Sequence, residues 1–238
     1  MLKIAKKYIA IIKQIQQLPR EQITLSGDRY GRIHFDAFTR RHRLLVFRNK
    51  EIGVALISIN GTFKEYLQGS FKETLRRNRN RAIKEGFTFR KFKTSEFFND
   101  MLEVNRSMEI RQGREMSIDY TNEQILKNYL SDKPEMFGVF DQKGNLRSYV
   151  WIVFAGEAAI VARLLGHGHD LEKGVMWLLL SEVFRELLEN KADNPQLKWF
   201  VYDTLFGASS GLRFFKERMG YLPYRVVWKW KNFPPSLN

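Results

Sequence analysis

Residues 197–230 read LKWFVYDTLFGASSGLRFFKERMGYLPYRVVWKW, and the order of elements within them decides the fold. Leu197 to Tyr202 is a short apolar and aromatic run closed by Asp203, the length of a buried central strand. A turn with Gly207, Ser209, Ser210 and Gly211 follows, then an amphipathic helix from Leu212 to Met219. Gly220 stands where a left-handed C-terminal cap ends a helix. Tyr221 to Trp230 alternates and is rich in β-branched and aromatic residues, so it reads as a further strand.

Upstream lies the other half of the unit. Leu146–Ala155 and Ala158–Leu165 read as two strands joined at Gly156-Glu157. The stretch Gly166-His-Gly-His-Asp170 leads into a helix from Leu171 to Asn190, with Met176, Leu179, Leu180, Val183, Leu187 and Leu188 at helical spacing. The order is strand, strand, helix, strand, helix, strand. Ala158–Leu165 and Leu197–Asp203 are expected to be parallel neighbours that part at their C-terminal ends.

This order, with the residues in it, resembles the GNAT acyltransferase superfamily. More narrowly it is similar to the branch holding the FemAB-type aminoacyl transferases and their single-domain acyl-CoA relatives. One carrier is Gly211-Leu-Arg-Phe-Phe-Lys216 with Gly220-Tyr-Leu-Pro223, similar to the family's G-l-x-x-F-K-x-x-x-G-[FY]-x-P ending. The other is FKETLRRNRNRAIKEG, Phe71–Gly86, like the basic helix and glycine that precede the fold in that branch. The likeness covers most of the chain after Tyr66. It implies an α/β (α+β) fold, a mixed twisted sheet flanked by helices with an N-terminal helical extension. One domain over 1–238 is expected, with 1–27 as helix and linker. The implied activity is transfer of an acyl or aminoacyl group to an amine, from acyl-CoA (acetyl-CoA) or aminoacyl-tRNA.

Composition narrows the chemistry. There is no cysteine, which excludes a disulfide framework, a thiolate metal site and a cysteine nucleophile, and suits a reducing, cytoplasmic setting. The four histidines, His34, His42, His167 and His169, show no metal-ligand spacing, so no metal is expected. No Ser-His-Asp order, P-loop or paired-carboxylate motif supports hydrolase or kinase chemistry. The net charge of +14 attracts polyanions: nucleic acid, an anionic membrane face or a phosphate-bearing donor.

Met1–Leu18 reads as a basic amphipathic helix, either packed on the domain or lying at the inner membrane face on anionic lipid. Arg20–Thr39, with Gly27 and Gly31 among polar residues, reads as loop. Leu44–Phe47 and Ile52–Ile59 read as strands around Asn49-Lys50. From Lys72 to Lys93 nine cations face two glutamates, and Leu75, Ala82 and Ile83 support a helix there. Arg76, Arg77 and Arg81 are its candidate phosphate contacts, against a solvated surface helix. Thr94–Arg111 reads as a helix capped at Thr94-Ser95, ending at Gln112-Gly113. Arg111 and Arg114 flank that turn, as a carboxylate or phosphate clamp or as a helix C-cap. A further helix is expected over Thr121–Ser131 and a strand over Met136–Phe140.

The resemblance places the donor's phosphates at the start of the long helix, at Gly166, Gly168, Lys173 and Gly174. The usual Arg/Gln-x-x-Gly-x-Gly/Ala spacing is not kept there, and Asp170 adds an anion unless it turns inward as the helix cap. The same departure is expected of the branch that uses aminoacyl-tRNA. Lys216 matches the lysine of the terminal motif and is the candidate oxyanion or phosphate cation, against an exposed helix lysine. Tyr202 and Asp203, at the strand end where ligands gather in open sheets, are candidate acid or base. Glu157 and Arg163 are weaker candidates on the preceding hairpin. Two other functions stand beside transfer: the same fold modifying a nucleic-acid base, and a non-enzymatic basic nucleic-acid-binding protein.

Overall fold

The computed structural model describes residues 15–41, 48–111, 113–133 and 135–231. Its strands are β1 (Arg20–Leu25), β2 (Ile52–Ser58), β3 (Thr88–Lys93), β4 (Ile110–Arg111), β5 (Arg114–Glu115), β6 (Glu135–Phe140), β7 (Leu146–Ala155), β8 (Ala158–Gly166), β9 (Trp199–Thr204) and β10 (Leu222–Trp230). Its helices are α1 (Arg29–Thr39), α2 (Phe63–Tyr66), α3 (Glu73–Lys84), α4 (Phe98–Arg106), α5 (Ile118–Thr121), α6 (Glu123–Leu130), α7 (Val175–Glu189) and α8 (Ser210–Met219). This is an α/β protein with a mixed sheet flanked by helices. The chain forms two compact units. Of the described residues, one unit holds those up to Ile59, Val153–Ile160 and those from Asn194; the other holds those within Asn60–Ile152 and Val161–Asp193.

In the first unit the strand order is β1-β10-β2-β9-β8. β2 is the inner strand, antiparallel to β10 and β9, and its Gly53–Ile57 are buried. The expected parallel pairing of β8 with β9 is present, joining Ala158–Ile160 to Trp199–Val201. α8 starts from Ser209, whose hydroxyl accepts from the Leu212 N–H, and stops at Gly220 with φ 103°. The Gly220 stop is as the sequence indicates, whereas the helix begins two residues before the expected Leu212, because Ser209 of the expected turn caps it.

The loop expected over Arg20–Thr39 is instead β1 and α1. β1 pairs parallel with β10, burying Ile23 and Leu25; so much of the expected linker within 1–27 is sheet. Asp28 then caps α1, accepting from the N–H groups of Tyr30 and Gly31. Gly31 reads as loop punctuation but serves close packing. A Cβ there would stand 3.1 Å from both Ala155 Cβ and Ser26 O.

In the second unit β3, β6 and β7 form an antiparallel run. α7 packs on β6, β3 and α3. Phe92, Met101, Val104, Leu126, Met136, Phe140 and Leu165 make one apolar core with α4 and α6. Three expectations change here. The cationic run from Lys72 to Lys93 is a helix only to Lys84, and Arg90, Lys91 and Lys93 belong to β3. The helix expected from Thr94 to Arg111 is α4, shorter at both ends; the Thr94 hydroxyl donates to the Lys133 carbonyl instead of capping. Arg111 and Arg114 face one another across the β4–β5 hairpin, so Arg111 is not a helix C-cap.

The helix expected from Met1 and the strand expected at Leu44–Phe47 lie outside the described residues, except that Ile15–Gln17 are helical. Among the described residues no helix is long and apolar enough to cross a membrane.

Candidate active site

The terminal motif builds a buried cation at the corner of β9 and α8. Lys216 is 1% exposed, which excludes the reading of an ordinary surface lysine. Its ammonium donates to the Thr204 carbonyl at 2.9 Å and lies 4.2 Å from the centroid of the Tyr202 ring. The ring face answers part of the charge. Burial holds the Lys216 pKa down at about 8; Asp203 pulls it up and Lys50 pushes it down. One of three ammonium N–H groups is accounted for by Thr204.

Tyr202 sits edge-on to Tyr221, ring centroids 5.8 Å apart. Asp203 is more than half exposed and ion-paired with Lys50. Its φ of 52° is the one positive value outside glycine among the described residues. Aspartate tolerates the left-handed region better than most side chains, and such backbone is often kept at functional corners. The structure thus brings Lys216, Tyr202 and Asp203 together. Glu157 lies elsewhere in this unit, accepting from the Thr24 N–H at 2.7 Å and from Lys198.

In the second unit, the start of α7 holds the glycines expected to cradle phosphates. α7 begins at Val175, not Leu171, and residues 168–173 form a 3-10 turn before it. Asp170 is 3% exposed and is not the helix cap; Gly174 occupies that position with φ 89°. The Asp170 carboxylate turns inward and accepts from Arg147 at 2.6 Å and Lys173 at 2.8 Å. Burial pushes its pKa up, but these two hydrogen bonds and charges outweigh that and hold it below the usual carboxylate range. Arg147 also reaches His167 Nδ1 at 3.1 Å. Burial and Arg147 lower the His167 pKa, so its ring is neutral at pH 7 and accepts from the guanidinium.

Each cradle residue therefore has a neighbour within this unit. Gly168 N–H donates to the Ser107 hydroxyl at 2.9 Å. A Cβ on Gly166 would stand 2.4 Å from Met176 Sδ, and one on Gly174 2.2 Å from the Asn78 carbonyl oxygen of α3. Lys173 answers Asp170. Backbone lies against backbone at Gly174, which only glycine permits.

On α3 the arginines divide. Arg76 donates to the carbonyls of Leu67 and Gly69, and Arg81 to that of Glu172. Both are tied into the unit, and Arg77 is exposed. Arg79 pairs with Glu182 at 2.6 Å. Arg114 is exposed, and Arg111 donates to the Leu164 carbonyl at 3.3 Å. The tyrosines around Arg163 escaped the sequence reading. The signal was a lone arginine in the apolar strand AAIVARLL.

No family model matches the chain, and no curated protein does. Among solved structures, FemX matches with TM-score 0.54 and 13% identity, over 72% of this chain and 59% of that one. L-PGS from Bacillus licheniformis matches at 0.49 and 17%, over 72% and 59%. A tandem GNAT protein from the clavulanic acid biosynthesis pathway matches at 0.35 and 14%, over 58% and 43%. The chain has the GNAT/FemAB-like fold. It spans about three fifths of the length of the first two structures. Identities this low make the likeness one of fold, carried by the FemX match.

Proposed function

We propose that the protein transfers an aminoacyl or acyl group from an activated donor to an amine. The observation that supports this is the buried ammonium of Lys216, set beside Tyr202 and Asp203 at the end of a strand in a FemX-like fold. In such a transfer the amine lone pair attacks the donor carbonyl carbon. The C–N bond forms, negative charge gathers on the carbonyl oxygen, and the C–O bond of an ester or the C–S bond of a thioester breaks. The leaving oxygen or sulfur takes up the proton that the amine loses. A fixed cation in a water-poor corner stabilises the charged intermediate, since the ammonium held on the Thr204 carbonyl has further N–H groups to offer the carbonyl oxygen. With a pKa near 8, Lys216 also suits proton delivery to the leaving group near neutral pH.

An aminoacyl-tRNA donor fits the second unit better than acyl-CoA. A CoA pyrophosphate would need open backbone at the start of α7, where Asn78 and the inward Asp170 already lie. The exposed cations, Arg77, Lys84, Arg90 and Lys93, favour a polyanionic partner such as tRNA. The test is to offer the protein charged tRNAs and an acyl-CoA panel with amine acceptors, and to weigh the products by mass spectrometry. Formation of a new amide from charged tRNA supports the reading; no amide from any donor counts against it.

A further inference from the structure

Strand β8 carries a single charged residue, Arg163, and buries it to 7% exposure. Its guanidinium carbon lies 4.2 Å from the Tyr120 ring centroid and 3.7 Å from that of Tyr129. Its Nη1 is fully enclosed and has no hydrogen-bond partner. Ring faces answer the charge, but they offer no lone pair to an N–H. Among the described residues no carboxylate pairs with Arg163. A buried cation in that condition is costly to keep.

The surroundings are cationic as well. Arg163 and Arg111 both bear on the Tyr149 hydroxyl, which donates to Asn105 Oδ1 at 2.6 Å. Lys133 lies 4.0 Å from the Tyr129 ring centroid and is answered by Asp132. One wall is light. Tyr120 rides on the four-residue α5, held to α4 by Asn105 donating to the Tyr120 carbonyl and Arg106 to that of Thr121.

We propose that Arg163 anchors a binding site for one carboxylate, reached when α5 shifts and carries Tyr120 off the guanidinium. A guanidinium nitrogen enclosed without a partner between ring faces suits a small planar monoanion over a bulkier tetrahedral dianion. The carboxylate can belong to a peptide-like or amino-acid group, or to an aliphatic acid. The inference stands apart from the transfer reading, because binding is measured without donor or acceptor.

The test follows thermal melting of the full chain with N-acetylglycine, N-acetylglycine amide, hexanoate and inorganic phosphate, each at millimolar concentration. At least one carboxylate is expected to raise Tm; the amide and phosphate are not. The responding carboxylate names the source. Arg163→Met is expected to remove the response at least tenfold while melting no lower than the parent. Tyr120→Ala, which uncovers the guanidinium, is expected to tighten carboxylate binding severalfold, and it carries the test if Arg163→Met does not fold. No carboxylate response in the parent, an equal response in Arg163→Met, unchanged affinity in Tyr120→Ala, or a response to phosphate alone overturns the proposal.

Discussion

The ammonium of Lys216 donates to the carbonyl oxygen of Thr204 at 2.9 Å, tying the last turn of α8 to the last residue of β9. Thr204 lies twelve residues back, beyond the Gly-Ser turn. The link closes that turn and fixes where the cation stands. The Tyr202 ring beneath keeps it from wandering.

This buried cation has a signature in pH. Its folded pKa, about 8, lies below the ordinary lysine value of 10.5. Between those values the unfolded chain holds more protons, so stability rises with pH through that window. Below pH 8 the burial penalty is present in full. Lys216→Met lacks the group, so the parent should gain on the variant between pH 8 and 10.5 in denaturant melts. A constant gap across that window would mean Lys216 is not desolvated.

Asp170 behaves in the opposite sense. Its folded pKa is depressed below 3.8, so its contribution is present above that value and lost as pH falls through the folded pKa. Asp170→Asn leaves Arg147 without its buried partner and is expected to cost about 3 kcal/mol at pH 7. The difference between parent and variant should shrink as pH falls through the depressed folded value, as urea melts would show.

Gly174→Ala tests the close approach of α3 to α7. The new methyl meets the Asn78 carbonyl at 2.2 Å, on backbone with φ 89°. Left-handed strain and the clash together are expected to cost about 2 kcal/mol or more. Gly113→Ala, also at positive φ but with nothing within 4 Å, should cost only the strain. Equal Tm losses would mean the Asn78 contact is not made.

Charge reversal on α3 should separate two kinds of arginine. Arg77→Glu is expected to weaken binding to tRNA and flatten its salt dependence, with Tm nearly unchanged. Arg81→Glu removes the hydrogen bond to Glu172 and is expected to lower stability by about 1 kcal/mol. Filter binding and thermal melts on both variants distinguish the roles.

The sequence announces its fold where local chemistry and tertiary role agree. Gly220 and the alternating β10 are legible because a left-handed stop and a half-buried strand each demand particular residues. β1 is not, because REQITL reads as polar until β10 pairs with it across two hundred residues. Gly31 and Gly174 show the same limit. A glycine kept for a close approach reads as loop punctuation at Gly31 and as part of a phosphate cradle at Gly174 until its neighbours are in place. Lys216 stands out through its motif, yet its burial against Tyr202 depends on packing that residue spacing does not show. For Asp170 the sequence leaves open whether it caps the helix, and only the position of Arg147 decides where it points.

The proposed part of this buried lysine in group transfer is read from the single-turnover rate of amide formation by the parent and by Lys216→Met, using whichever charged tRNA or acyl-CoA proves competent. Lys216→Met is expected to bind the donor as the parent does and to melt at or above the parent at pH 7. Transfer should fall by about 10²–10³, and Lys216→Arg should restore only part of it, since a planar fork does not fit the slot of an ammonium. An undiminished rate in Lys216→Met would take group transfer away from Lys216 and leave it as a tie between α8 and β9.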